Sequence, residues 1–178
     1  MNEAGITVAF HAGDAGYGFL LEKWGVDPEF EAFRLPALFQ MLTMSPISDT
    51  IASLLADGVF LRFPNIRVAT IENGAEWVRP LFSKLEKVWK MRKPFWDEDP
   101  RDTFRRHVWV SPFYEDDLAD LASLIGVDHI LFGSDWPHAE GLPEPLEYVD
   151  DLDRAGFTQA DVDKVMYENA RALTRPAT

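Results

Sequence analysis

A single stretch of the sequence, residues 130–138 with the letters ILFGSDWPH, constrains the fold more than any other. Its first three residues form a continuous apolar run, which is typical of a strand buried on both faces of a parallel sheet. Gly133 and Ser134 then allow the backbone to turn, and Pro137 prevents the ladder from continuing. Asp135 is therefore expected at the carboxyl end of a strand, where α/β sheets and barrels bind their ligands. The alternative is a turn-forming Asp that caps the following segment.

The same order of strand and polar residue occurs twice earlier in the chain. The β-rich residues 6–10 lead into His11, and residues 67–71 lead into Glu72. A hydrogen-bonded structural histidine and an exposed loop glutamate are the plainer alternatives. Two further strands are predicted at residues 107–112 and 128–133. Because strand, loop and helix alternate four times, the chain is predicted to be an α/β protein with parallel strands and right-handed crossovers.

Two helix starts and one connection are also predicted. Ser45 before Pro46 places a capping serine ahead of a proline in the first helical position. Thr158 opens a capping-box-like start for the last helix. Residues 93–106 are predicted to be a charged, aromatic connection. Arg105 within it is a candidate anchor for a substrate carboxylate, and a surface ion pair is the alternative.

The length and net charge of the chain restrict the kinds of molecule that it is expected to bind. A chain of 178 residues with 47% hydrophobic residues is predicted to form a single domain, residues 1–178. The net charge of −13 argues against nucleic acid and against an anionic membrane surface. No apolar run spans a bilayer and no basic-then-apolar leader is present, so a cytoplasmic protein acting on a small molecule is expected.

The segment from residue 17 to residue 45 is long, rich in aromatic residues and interrupted by prolines. Loops of this length in compact domains are often lids or binding loops, so we expect a loop insertion over the site. A satellite helix packed on the core is the alternative.

His11 and Asp135 follow the first and last of the predicted strands. In a closed barrel the strand tips surround one central site, so the two side chains are predicted to share a metal ion. Imidazole and carboxylate are ordinary ligands for zinc, with manganese as the alternative ion. Two ligands are too few for a complete site, and the absence of cysteine excludes thiolate ligands.

Five segments together resemble a known family. They are FHAG at His11, ENGAEW at Glu72, FRRHVWVS before the third strand, LFGSDWPH at Asp135 and the terminal ENARAL. These segments resemble the second half of the amidohydrolase superfamily, and more narrowly its amidohydrolase-2 branch, which includes aminocarboxymuconate-semialdehyde decarboxylase and the resorcylate-type decarboxylases.

This resemblance implies a (β/α)8 TIM barrel of which the chain forms strands five to eight with their helices. It implies that His11 is the fifth-strand metal ligand and Asp135 the eighth-strand ligand and a catalytic residue. His138 follows Asp135 closely enough to orient it or to contact substrate, and an exposed loop histidine is the alternative. Trp136 is expected to contact substrate. The strands that carry the family's His-x-His pair are not matched, so the chain is expected to associate with a second copy or with a separate N-terminal half.

Glu72 occupies the position of the decarboxylases' catalytic histidine. A glutamate can act as a base on metal-activated water, which favours hydrolysis of a small amide, ester or lactone. Carboxy-lyase chemistry of the same branch is one alternative, and a non-catalytic fragment with an incomplete metal site is another. An α/β binding module that uses the 17–45 loop remains a third.

Overall fold

Three parallel strands in the order β1–β2–β3 form the sheet. The computed structural model describes residues 1–13, 22–23, 45–91, 95–138 and 141–176. The strands are β1 (Thr7–His11), β2 (Arg67–Ile71) and β3 (Val108–Val110). In the register, His11 lies beside Ile71, and Thr70 lies beside Val110. The parallel α/β arrangement predicted from the sequence is therefore confirmed.

Helices connect the strands and follow the last of them. The α-helices are α1 (Pro46–Ala56), α2 (Val59–Arg62), α3 (Val78–Met91), α4 (Pro100–His107), α5 (Leu118–Ile125), α6 (Tyr148–Arg154), α7 (Gln159–Asp163) and α8 (Asn169–Leu173). A π-helical turn, Lys164–Glu168, joins α7 to α8. Short 3-10 turns occur at Asn2–Ala4, Val127–His129 and Pro145–Glu147. Within the described residues, no helix is long and apolar enough to cross a membrane.

Both predicted helix starts are confirmed. The Ser45 side chain accepts a hydrogen bond from the Ser48 amide ahead of Pro46. Thr158 and Asp161 form a capping box in which each side chain accepts from the other residue's backbone amide. These local signals succeed because a cap satisfies amides that the helix itself leaves unpaired.

The core lies between the sheet and the helices around it. The buried face of α3 carries four apolar residues at helical spacing: Val78, Leu81, Phe82 and Leu85. Phe104 of α4 is fully buried and packs edge-on against the Phe82 ring, with 5.0 Å between ring centroids. Burial of an aromatic side chain of this size stabilises the fold by roughly 2–3 kcal/mol. This contact packs α3 against α4.

Two sequence predictions about elements were wrong. The predicted connection at residues 93–106 contains a helix, because α4 begins at Pro100 after Asp99, whose side chain accepts from the Arg101 amide. The fourth strand, expected at residues 128–133, is reduced to a single parallel bridge between Val110 and Ile130.

The C-terminal helices cover the side of this segment that faces away from β3. The Leu131 amide donates to the Val110 carbonyl of β3 at 2.9 Å, whereas the Phe132 amide donates to the Val165 carbonyl inside the π-helical turn, 3.1 Å away. The Asn169 side chain donates to the Ile130 carbonyl at 2.8 Å. Helical groups therefore occupy hydrogen-bonding positions that a further strand would otherwise fill.

The carboxyl ends of the strands share one edge of the sheet because all the strands are parallel. His11 ends β1, Glu72 follows β2, and Ser111 follows β3. The segment after Ile130 reaches the same edge and carries Asp135. The proposed 17–45 insertion lies almost wholly outside the described residues, so it stays a prediction.

Candidate metal centre

Four side chains gather at the carboxyl edge of the sheet, and we call them the edge cluster: His11, Glu72, Asp135 and His138. The His11 Nε2 atom lies 3.2 Å from Oε2 of Glu72. The His138 Nδ1 atom lies 2.7 Å from Oδ1 of Asp135. One ligand atom from each of Glu72, Asp135 and His138 falls within 4.8 Å of the other two. The cluster thus combines two imidazoles with two carboxylates.

The His11 ring is oriented by its own backbone. Its Nδ1 atom lies 2.8 Å from the Ala12 carbonyl oxygen, so that nitrogen donates and Nε2 faces Glu72. This hydrogen bond raises the pKa of His11 above 6.5, and the negative charges of Glu72 and Asp135 raise it further. A histidine whose far nitrogen bonds a carbonyl is a common arrangement for a metal ligand, because the bond fixes the tautomer and the ring.

Glu72 and Asp135 share an unusual backbone conformation. Each has a φ of 54°, in the left-handed region that residues other than glycine adopt at a cost of roughly 1–2 kcal/mol. Such strain persists only where surrounding contacts impose it, and it is frequent at functional sites. Both carboxylates that the sequence singled out are therefore held at strand ends in strained turns.

The Asp135 turn is closed by backbone contacts. The Leu142 amide donates to the Ser134 carbonyl at 2.9 Å, and the His138 amide donates to the Asp135 carbonyl at 2.8 Å. A Cβ atom on Gly141 would lie 2.6 Å from the Asp135 carbonyl oxygen. Only glycine fits there, so the close approach of the chain at residue 141 is part of what fixes Asp135.

The donor set of the edge cluster fits a divalent cation. Glu72, Asp135 and His138 each offer one ligand atom, and these three atoms all lie within 4.8 Å of one another. Imidazole with carboxylate suits zinc or manganese. The Asp135 side chain is 20% exposed, whereas those of His11 and His138 are 59% and 64% exposed, so the cluster opens to solvent at both histidines.

Arg105 does not belong to this site, and the expectation that it anchors a substrate is not supported by its placement. Its Nε atom donates to the Leu124 carbonyl at 2.7 Å, and Nη1 pairs with Asp102 at 2.6 Å. Its guanidinium also lies over the Phe82 ring, 5.2 Å from the centroid. The side chain ties α4 to α5, as the ion-pair alternative implies.

Trp136 and His138 lie beside Asp135, as their sequence positions require. The Trp136 side chain is largely exposed, and its amide donates to the Ser134 hydroxyl at 3.2 Å. The His138 ring bonds the Asp135 carboxylate at 2.7 Å, so it is positioned to orient Asp135, which is one of the two roles that the sequence suggested for it.

Sequence reasoning missed Asn73. Its side-chain amide donates to the Ile71 carbonyl at 2.7 Å and to the Phe10 carbonyl at 3.1 Å, so it ties the Glu72 turn to β1. The Asn-Gly dipeptide at residues 73–74 is a strong turn signal and marks the place.

The fold and the edge cluster define the class: an α/β protein whose parallel strands present a histidine and carboxylate group at their carboxyl ends. The chain belongs to the amidohydrolase family, since the family model described as Amidohydrolase matches residues 1–175. The resemblance carried by the five sequence segments is therefore confirmed. Families of this kind contain both amidohydrolases and decarboxylases, and metal dependence is typical of them.

Solved structures agree with this assignment. An amidohydrolase from Mycobacterium avium subsp. paratuberculosis K-10 is 42% identical, with a TM-score of 0.86 over 97% of this chain and 43% of that chain. A dihydroxybenzoic acid decarboxylase from Polaromonas sp. JS666, with bound manganese and the inhibitor 2-nitroresorcinol, is 16% identical, with a TM-score of 0.59 over 97% of this chain and 50% of that one. The 5-carboxyvanillate decarboxylase of Sphingomonas paucimobilis is 15% identical, with a TM-score of 0.56 over 74% and 40%.

The two decarboxylases support the fold alone at these identities. The chain spans about half the length, or less, of the structures that it matches.

Proposed function

We propose that this chain contributes strands five to eight of a metal-dependent hydrolase barrel, with His11 and Asp135 as ligands of a divalent cation and Glu72 as the catalytic base. The observation that carries the proposal is the edge cluster, in which His11 at the end of β1, Glu72 after β2 and Asp135 in the segment after Ile130 converge. The amidohydrolase from Mycobacterium avium subsp. paratuberculosis K-10, at 42% identity, supports the same assignment.

Each residue of the cluster has a distinct role in this proposal. His11 presents Nε2 because its other nitrogen is committed to the Ala12 carbonyl. Asp135 presents one carboxylate oxygen while the other is held by His138. A bound zinc or manganese ion supplies Lewis acidity, which polarises a substrate carbonyl and lowers the pKa of water.

Glu72 is placed to accept the proton of the attacking water. Its side chain is 30% exposed, and its carboxylate lies against His11 at the mouth of the cluster. A carboxylate within hydrogen-bond reach of the nucleophile is what general-base hydrolysis of an amide, ester or lactone requires. Trp136, exposed beside Asp135, offers an apolar wall for a small-molecule substrate.

His11 and His138 are the histidines of the edge cluster. Of the four histidines in the sequence, His107 bonds the Ile66 carbonyl and His129 packs on the Trp109 ring, so neither reaches the cluster. Among the described residues, β1 has a strand neighbour on one side only. We propose that its open edge pairs with a second copy or with an N-terminal half that completes the barrel, because an unpaired strand edge favours association. Native mass measurement tests this, and a monodisperse monomer that binds metal fully contradicts it.

Metal binding by the full chain tests the assignment of ligands. Titration with Mn²⁺ or Zn²⁺ is expected to give one site per chain in the wild type and none in His11→Ala or Asp135→Ala. Asp120→Asn is the matched control, because Asp120 pairs with Arg79 outside the cluster, and it is expected to bind as the wild type does. Wild-type protein that binds no metal, with stability unchanged in both variants, would establish the non-catalytic alternative.

Turnover tests the role of Glu72. Glu72→Gln is expected to keep one metal site per chain, with affinity weaker by about tenfold, and to lose hydrolysis of a panel of small amides, esters and lactones. Carbon dioxide release from an aromatic carboxylic acid by the same preparation would instead establish the carboxy-lyase alternative.

A further inference from the structure

The turn that carries Glu72 requires support from outside itself. Glu72 and Gly74 both have left-handed backbone conformations, with φ of 54° and 60°. The left-handed region is unfavourable for Glu72, so a free turn would relax and carry its carboxylate away from His11. The position of Glu72 therefore depends on the contacts that hold the turn.

Asp116 supplies such a contact from a different strand loop. Its Oδ2 atom accepts the Ala75 amide at 2.8 Å and the Phe113 amide at 2.7 Å. Ala75 lies in the Glu72 turn after β2, and Phe113 lies in the loop after β3. One carboxylate oxygen thus joins the two loops, and bonds of a charged acceptor to backbone amides are among the stronger hydrogen bonds in proteins.

Side-chain packing also holds the Glu72 turn against the loop after β3. A Cβ atom on Gly74 would lie 2.6 Å from the Phe113 ring and 3.4 Å from Oδ2 of Asp116. The Trp77 indole donates to the Gly74 carbonyl at 2.9 Å within the core. The loop after β3 therefore presses directly on the turn, and the turn has no room to move toward it.

We propose that Asp116 is a positioning residue for Glu72: it acts through the Ala75 amide and sets where the Glu72 carboxylate lies in the edge cluster. The inference rests on the proposed function. Asp116 itself need not touch the cation or the substrate, because it bonds the backbone of the turn rather than any member of the cluster.

A double-mutant cycle read by Mn²⁺ titration of the full chain tests this. Asp116→Ala is expected to weaken Mn²⁺ affinity by about tenfold, which is the lower end of what loss of a supporting contact costs a metal site. In a Glu72→Ala background the same change is expected to have no further effect, since it acts only through Glu72. Asp116→Asn is expected to retain affinity, because an amide oxygen accepts the same two amides.

Other outcomes overturn the proposal. Equal losses from Asp116→Ala in both backgrounds would show a route independent of Glu72. Equal losses in Asp116→Ala and Asp116→Asn would show that the negative charge, not the hydrogen bonds, acts on the site. Asp120→Ala is the control for removal of a nearby carboxylate and is expected to leave affinity unchanged.

Hydrogen exchange separates this inference from the proposed function. Asp116→Ala is expected to speed exchange of the Ala75 amide at least tenfold while amides in the middle of α3 keep their protection, and Asp116→Asn is expected to restore it. Wild-type protein that binds no Mn²⁺ but shows this exchange pattern would refute the metal site and leave the positioning role standing. Unchanged exchange at Ala75 would refute the positioning role whether or not metal binds.

Discussion

Asn169 is the side chain whose removal gives the most informative stability measurement. It is 7% exposed, and its amide nitrogen donates at 2.8 Å both to the Val127 carbonyl and to the Ile130 carbonyl. These bonds attach α8 to the segment that leads to Asp135. Replacing Asn169 by alanine removes both donors without adding bulk.

The expected loss of stability depends on which hydrogen bonds the Val127 and Ile130 carbonyls retain in the variant. The Val127 carbonyl still accepts the Ile130 amide at 3.1 Å, so there the change costs one hydrogen bond, about 1 kcal/mol. The Ile130 carbonyl loses its buried side-chain donor, which costs about 1–3 kcal/mol. The higher helix propensity of alanine returns about 0.5 kcal/mol. The net expectation is a decrease of about 1.5–3.5 kcal/mol in the free energy of unfolding.

Urea denaturation and thermal unfolding measure this loss. For a chain of this size the expected decrease in Tm is roughly 5–10 °C. Asn169→Asp is expected to lose more than Asn169→Ala, because a carboxylate would face two carbonyl oxygens. Asn65→Ala, at an exposed position, is the control and is expected to change stability by less than about 0.5 kcal/mol. A loss below about 0.5 kcal/mol in Asn169→Ala would refute the reasoning.

Three further predictions concern the edge cluster and the buried histidine. Gly141→Ala is expected to weaken Mn²⁺ binding and to destabilise the fold by about 1–3 kcal/mol, because the added Cβ would meet the Asp135 carbonyl. Gly13→Ala is the control, since a Cβ there meets nothing within 4 Å. Equal behaviour of the two variants in Mn²⁺ titration and urea unfolding would contradict this prediction. Glu72→Asn is expected to raise the free energy of unfolding by about 0.5–1 kcal/mol, since Asn adopts the left-handed region more readily. The Mn²⁺ affinity of this variant is expected to fall. A variant that is less stable than the wild type in urea would argue against backbone strain at residue 72. Burial, followed by the charge of Arg106, lowers the pKa of His107 below 6.5, so the stabilising contribution of His107 is complete above that pH and is lost as the pH falls through the lowered pKa. Between about pH 7.5 and pH 5.5, urea unfolding should therefore show a smaller loss of stability in His107→Gln than in the wild type. An equal loss of stability in the two proteins would contradict this prediction.

The sequence by itself determined the features that depend on neighbouring residues. Ser45 and Thr158 were recognised as helix caps because a cap bonds amides two or three residues away. His11, Glu72 and Asp135 were found as strand-end residues because an apolar run followed by glycine and polar residues is a local pattern. Their convergence was predictable in outline, since parallel strands end at one edge.

Only the tertiary structure decided the contacts between distant residues. Val165 and Asn169, more than 30 positions along the chain, bond residues 130–132 on the side that faces away from β3. Arg105 is held away from the site by the Leu124 carbonyl, 19 positions along the chain. The link from Asp116 to the Glu72 turn is 41 residues long in sequence. Hydrogen bonds of this kind depend on how helices pack on the sheet, and residue patterns along the chain do not encode that packing in any local form.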